Sequence, residues 1–269
     1  MGGAKTLVAL SVALMAVWLP ARAHAANDLR ILAREKAAAV ALLRARASDE
    51  IATIAQARVF SAYLNASTQG EGLRIKRRME AALATLRGRF GLAQAQLIDR
   101  SGEVIAAAPA RLGTLDVAKD AALKAGFALD AYKVTSLPGK QRIMLAAPVV
   151  WQGEREFVVR AEQDLSAYQS LLKRDAAPRR HVVLTDGAST ILADTREQND
   201  AAAATVAGVP LKGLRAALKG SAQEGHGEIA RGNERFIVAY QASGDWLVVV
   251  VEAVAPPHRC PGRGERLCG

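Results

Sequence analysis

The chain has 269 residues, with 36 lysines and arginines against 26 acids, a net charge of +10 and 4% aromatic residues. That length suits one large core or two of ordinary size. The basic balance raises the question of nucleic acid, yet three Trp, four Tyr and five Phe are a poor set for base stacking. The cations are scattered, clustering only at Arg74-Ile75-Lys76-Arg77-Arg78 and Pro178-Arg179-Arg180; no nucleic-acid partner is expected, and the charge favours anionic partners or membrane surfaces.

Residues 1–25 read as a secretory signal peptide. Lys5 opens a short positive region, Leu7 to Leu19 is nearly all apolar, Pro20 ends the run, and Ala23-His24-Ala25 offers the small-x-small cleavage pattern. The apolar run falls short of the roughly 20 residues of a membrane span; an uncleaved N-terminal anchor is the alternative reading. A periplasmic or secreted location is expected. Without residues 1–25, which carry Lys5 and Arg22 and no acid, 34 basic residues stand against 26 acidic ones, a net charge of +8.

Residues 27–88 read as a long helical stalk, rich in Ala, Leu, Arg and Glu. Leu29, Val40 and Ile51 recur every eleven residues, as do Leu32, Leu43 and Ile54. Three helical turns at that spacing set all six on one stripe, either a helix lying on a domain or a signalling stalk and dimer seam. Gly70 and Gly72 predict a break near 67–72, after which Met79, Leu83 and Leu86 share a face.

Beyond Phe90 the pattern changes to short apolar runs between turn residues. Gln96–Asp99 and Val104–Ala107 predict a hairpin about Arg100-Ser101-Gly102-Glu103. Val117–Ala125 follows as a short helix, then strands at Tyr132–Leu137, Arg142–Val150 and Glu156–Glu162, and a helix at Leu165–Lys173. The plan then repeats: a hairpin of Val182–Asp186 and Thr190–Ala193, a helix at Leu211–Leu218, and strands at Gly227–Ala230, Arg235–Gln241 and Trp246–Val254. Leu97 to Val183 is an offset of 86, Arg142 to Arg235 one of 93 and Gly153 to Gly244 one of 91, which argues for two copies of one unit. Connections this short favour antiparallel pairing, so the expected class is α+β, with two tandem PAS-like domains, each a five-stranded antiparallel sheet with flanking helices. The expected bounds are 89–175 and 176–254, followed by a cationic tail at 255–269. Cys260 and Cys268 can form a bridge in that tail, and with His258 they make a poor metal site.

These residues suggest a family. Leu97-Ile98-Asp99-Arg100-Ser101-Gly102-Glu103-Val104-Ile105-Ala106 resembles the first hairpin of the double-Cache extracellular sensor domain. Ala146-Ala147-Pro148-Val149, Gly153 and Val158-Val159-Arg160-Ala161-Glu162-Gln163-Asp164-Leu165-Ser166 resemble that family's later strands. The resemblance covers residues 27–254. It implies a long N-terminal helix before two Cache domains, a first (distal) and a second (proximal). The implied function is small-molecule sensing in signal transduction or chemotaxis. Its implied partners are an organic acid, amino acid or amine ligand, a membrane-bound receptor or kinase, and a second copy along the N-terminal helix.

The sequence departs from that family in two ways. Family members usually continue through a second membrane helix, whereas the last apolar run here, Trp246–Val254, is nine residues with Glu252 inside it. The expectation is therefore a ligand-binding module without its own transmembrane output, or a fragment of a longer receptor. Amino-acid-binding members carry a Tyr, an Arg and a Trp-Tyr pair, and an Asp opening the Asp-Leu-Ser segment. This chain has Tyr132 and Asp164 but no Arg-x-Trp-Tyr.

The ligand-site candidates are Tyr132, Arg142, Arg160 and Asp164. Asp164 can receive a ligand ammonium or cap the helix that follows. Arg142 and Arg160 can clamp a carboxylate or phosphate or belong to a solvated face, and Tyr132 can pack or touch ligand. In the second copy the run matching Val158–Asp164 is Val248–Val254, apolar where the first has Asp164, so ligand is expected in the first copy only. Asp99 and Asp186 sit where hairpin turns want an Asp side chain. The sequence contains no nucleophile motif, no phosphate loop and no His-rich metal pattern; no enzyme activity, metal or cofactor is expected. The competing reading is an interaction protein whose N-terminal helix docks onto a membrane-bound partner.

Overall fold

A computed structural model describes residues 4–65, 69–110, 113–128, 135–136, 142–151, 154–174, 177–186, 191–196 and 205–254. Helix α1 (Ala4–Ala55) is unbroken and runs on through Pro20, so the segments read as leader and stalk form one helix. On α1 the eleven-residue stripe faces inward: Leu29, Val40 and Ile51 are at most 3% exposed.

The helix is interrupted twice, at Gln56-Ala57 and between Leu64 and Gln69, bounding α2 (Arg58–Leu64). The second interruption lies beside the break expected near 67–72, although Gly70 and Gly72 themselves lie inside α3 (Gln69–Phe90), and the first was not expected. Ala57 is extended, with φ −63° and ψ 132°, and its N–H bonds the Ile54 carbonyl at 2.8 Å. The turn carries Phe60 into full burial. Burying such a ring is worth about 1.5–3 kcal/mol, more than the roughly 1 kcal/mol that a helical glycine costs. Core packing sets the first interruption.

The chain divides into two compact units, 42–168 and 1–41 with 169–269. The first holds a five-stranded antiparallel sheet in the order β2-β1-β5-β4-β3. Its strands are β1 (Leu92–Asp99), β2 (Val104–Ala108), β3 (Thr135–Ser136), β4 (Arg142–Trp151) and β5 (Glu154–Asp164). Most of the strand expected at Tyr132–Leu137 lies outside the described residues. At the first hairpin Asp99 Oδ1 accepts from the Ser101 N–H at 2.9 Å and the Glu103 N–H at 2.9 Å. Gly102 has φ +90°, and a Cβ there would meet the Leu115 carbonyl oxygen at 2.0 Å, so only glycine fits the turn. The short helix, expected at Val117–Ala125, is α4 (Ala121–Ala128). Its start moves because Asp120, not a residue before Val117, caps it: Asp120 Oδ1 accepts from the Leu123 N–H at 3.0 Å. Helix α4 covers one face of the sheet over Ile98, Val104, Ala107, Met144, Ala146 and Val158; α3 packs along β1 and β2.

Helix α5 (Ser166–Lys173) leads into the second sheet, whose strand order is β10-β11-β12-β6-β7. Its strands are β6 (Arg180–Thr185), β7 (Ile191–Asp194), β10 (Glu224–Arg231), β11 (Glu234–Ser243) and β12 (Trp246–Ala253), with a small β8–β9 hairpin (Thr205–Val206, Val209–Pro210) before α6 (Leu211–Ala217). Strand by strand this repeats the first order. In the same unit, the buried Lys36 of α1 donates to the Leu171 carbonyl at 2.7 Å, in the last turn of α5, where a cation suits the helix end.

The repeat is real, but its offsets shift by one residue. Each first hairpin carries a register irregularity, between Leu97 and Ile98 in one sheet and between Leu184 and Thr185 in the other, so Leu97 matches Leu184 and not Val183. Gln96 pairs with Arg160 and Val183 with Val249, which makes Leu247–Ala253 the counterpart of Val158–Asp164. The covering helices agree, since α6 packs on Val183, Val249 and Val251. A one-residue slip exchanges the two faces of a sheet, and a turn's length cannot be counted from apolar runs alone.

Candidate functional site

Strand β5 alternates as a half-buried strand should, and places Val158, Arg160 and Glu162 on the face that α4 covers. Gln96 of β1 lies beside Arg160 in register, and Arg142 enters the same face from β4. The Arg160 side chain is only 9% exposed. Its Nε donates to Asp120 Oδ2 at 3.0 Å, and its Nη1 donates to Gln96 Oε1 at 2.8 Å and Glu162 Oε1 at 3.4 Å. Glu162 Oε2 accepts from Arg142 Nη1 at 3.0 Å. Two guanidinium groups and two carboxylates thus alternate across a wall that is otherwise apolar. Buried charges persist only when paired in this way.

Of the residues singled out from sequence, Arg142 and Arg160 are brought together through Glu162. Tyr132 lies outside the described residues. Asp164 stands apart from the cluster, although it opposes Arg142 in the β4–β5 register. Its Oδ1 accepts from the Ser166 N–H at 2.9 Å and from the Ser166 hydroxyl, which makes it the cap of α5. The solvated-face reading of Arg160 is overturned by its burial, while Arg142 keeps a half-exposed side chain.

Sequence reasoning missed Gln96, Glu162 and Asp120. The strand period could have flagged Glu162, which lies two residues from both Arg160 and Asp164. Gln96 carried a weaker signal, a polar residue within an apolar strand. Asp120 carried none, because the expected helix ran through it.

The matching positions of the second sheet are apolar. Val183, Val249 and Val251 stand where Gln96, Arg160 and Glu162 stand in the first, and each is fully buried. A charged pair stands at the end of the sheet on this face. There Arg196 Nε and Nη2 grip Asp194 Oδ2 at 3.0 and 2.6 Å. His181 Nε2 is buried without a hydrogen-bond partner among the described residues. Burial, aided by the Arg196 charge and opposed by Asp194, lowers the His181 pKa from 6.5 to about 4.

Behind the first sheet a cleft lined by Ile51, Ile54, Leu86, Phe90, Leu145 and Gln163, among others, has a free volume of about 20 Å³. That admits about one water and no organic ligand.

No family model and no curated protein sequence matches the chain. Solved structures do. The sensory domain of the Campylobacter jejuni chemoreceptor Tlp3 with isoleucine bound superposes with a TM-score of 0.66 at 13% identity, covering 86% of this chain and 94% of that one. The sensor domain of the V. cholerae histidine kinase DctB gives 0.57 at 15% identity, over 86% and 98%. The ligand-binding domain of the Pseudomonas fluorescens chemoreceptor CtaA with L-serine gives 0.58 at 17% identity, over 86% and 98%. The likeness is one of fold: a long N-terminal helix before tandem antiparallel sheets, the double-Cache sensor architecture.

Proposed function

We propose that this chain is the ligand-binding module of an extracytoplasmic sensor, taking a small organic acid, amino acid or amine on the α4-covered face of its first sheet. The observation that carries the reading is the buried Arg160 network with Gln96, Glu162 and Asp120, set where the second sheet has three valines. A fold built twice from one plan places a buried guanidinium network at these positions in only one copy, and a few convergent polar groups among apolar walls are what a small-molecule site needs. The charges are paired with one another, with no hydroxyl or thiol nucleophile among these contacts. That arrangement suits binding rather than catalysis. Superposable sensory domains with isoleucine and L-serine support the same reading. The apolar run before Ala25 supports export, and a membrane-bound receptor or kinase is the natural recipient of the signal. Among the described residues no helix is long and apolar enough to cross a membrane.

The test is a thermal-shift screen of residues 26–269 against amino acids, dicarboxylates, amines and purines. A ligand at 100 times its dissociation constant should add about 2.7 kcal/mol. Arg142→Ala should weaken the hit about tenfold or more, the worth of a charge-assisted hydrogen bond. Asp164→Ala should cost about 1 kcal/mol of stability and leave affinity alone. A screen without a hit, or a hit indifferent to Arg142→Ala, would overturn the assignment.

A second reading has its own observation. On α1, Ile31 and Leu42 are 47% and 70% exposed and eleven residues apart, hence on one face. This supports an association through the helix, with a second copy or a membrane-bound partner, which light scattering and cross-linking at Leu42→Cys would test.

A further inference from the structure

We propose that Asp120 occupies the seat of a ligand carboxylate, so that an incoming carboxylate-bearing ligand takes Arg160 from it and in the same act uncaps α4. The inference rests on the sensor reading above and narrows its ligand class to carboxylates, amino acids included, over bare amines.

Three partners hold Arg160, and they differ in origin. Gln96 and Glu162 stand on the sheet itself, one strand away and two residues along. Asp120 comes from the covering element, and it bonds Nε at 3.0 Å. It is also the more exposed of the two carboxylates, its side chain at 19% against 11% for Glu162. A carboxylate arriving from solvent therefore meets Arg160 where Asp120 now sits. The exchange keeps one anion on a buried guanidinium, so it avoids the penalty of stranding that charge, and Asp120 regains its hydration.

Asp120 also does a second job with its other oxygen. Oδ1 accepts from the Leu123 N–H at 3.0 Å and caps α4. One carboxylate thus bridges the sheet's buried cation to the start of the covering helix. Losing the Arg160 contact removes one of the bonds that fix the side chain, and the cap weakens with it. Ligand entry is converted into a change at α4, a link that neither Gln96 nor Glu162 can provide.

The test needs no knowledge of the natural ligand. Asp120→Asn keeps a capping oxygen but removes the anion with which a small carboxylate must compete for Arg160. Acetate, titrated at constant ionic strength against the salt of a bulky sulfonate, is the probe, and protein stability and tryptophan fluorescence are the readouts. Asp120→Asn should bind acetate about tenfold or more tightly than the wild type, as expected for a gained charge-assisted hydrogen bond. Asp120→Asn with Arg160→Gln should lose that gain. Asp120→Ser, another good cap, serves if the Asn variant does not fold. Equal acetate affinity in the wild type and the Asp120 variants, or a gain that survives loss of Arg160, would overturn the inference. The sensor reading fails separately, if no organic ligand binds the wild type.

Discussion

The two sheets share strand order, antiparallel pairing and a covering helix, yet they spend the same face differently. The first sets Gln96, Arg160 and Glu162 under α4; the second sets Val183, Val249 and Val251 under α6. Full burial of a valine contributes about 1.5–3 kcal/mol, while a buried ion network roughly breaks even or costs stability. At these three positions the second copy therefore gains more from apolar burial than the first. A common backbone does not dictate a common use; the alternation of side chains along β5 and β12 decides it.

The largest expected effect comes from dismantling that contrast. Arg160→Ala alone takes from Asp120 and Glu162 the buried cation they share, leaving Glu162 only Arg142, and should cost about 3–5 kcal/mol. Converting Gln96, Arg160 and Glu162 together to valine copies the second sheet, and should cost far less or even stabilise by about 1–4 kcal/mol. Urea unfolding of both variants measures this. A triple variant as unstable as the single one would break the comparison.

A smaller effect concerns acid. His181 titrates near 4 when folded, below its unfolded value of 6.5. The unfolded chain therefore binds more protons between those values, and stability falls as pH drops through that window. The stabilising contribution of the neutral imidazole is complete above pH 6.5, and the loss approaches about 3 kcal/mol near pH 4. His181→Gln should flatten this part of the pH profile, whereas charge changes at Arg142 in the first sheet should leave it in place. Unfolding midpoints from pH 7 to 4 give the comparison.

The smallest effects sharpen the contrast between the covering helices. A Cβ at Gly126 of α4 would press on Val158 at 3.0 Å, because that helix lies close over Val158 and the small Ala146. Tyr240 holds the position matching Ala146 in the second sheet, and a Cβ at Gly213 of α6 meets only Val209 Cγ1 at 3.9 Å. Gly126→Ala should therefore destabilise by about 1–3 kcal/mol through overpacking. Gly213→Ala should stabilise by about 0.5–1 kcal/mol through helix propensity. Melting temperatures of the two variants decide whether the helices sit as differently as their glycines indicate.

Much of this architecture was legible in the chain. Alternating apolar runs, glycine-bearing turns and eleven-residue helical spacing act over a few neighbours, so they located the hairpins, the strands, the inward stripe of α1 and the duplication in an α+β frame. Arg142 and Arg160 could be named because cations on strands are conspicuous. What they touch could not. Arg160 reaches Gln96 across 64 positions and Asp120 across 40, and only folding brings those groups within 3.0 Å. The tertiary structure also decided which way each strand faces, since one uncounted turn residue inverts a sheet. It added an interruption at Ala57, where burying Phe60 outweighs local propensity. Asp164 was drawn into capping α5 because the Ser166 amide lies two residues away, whereas Asp120, silent in the sequence, became the bridge between cap and cation. Local pattern determines the elements; the low-dielectric interior, which demands a partner for every buried charge, determines the site.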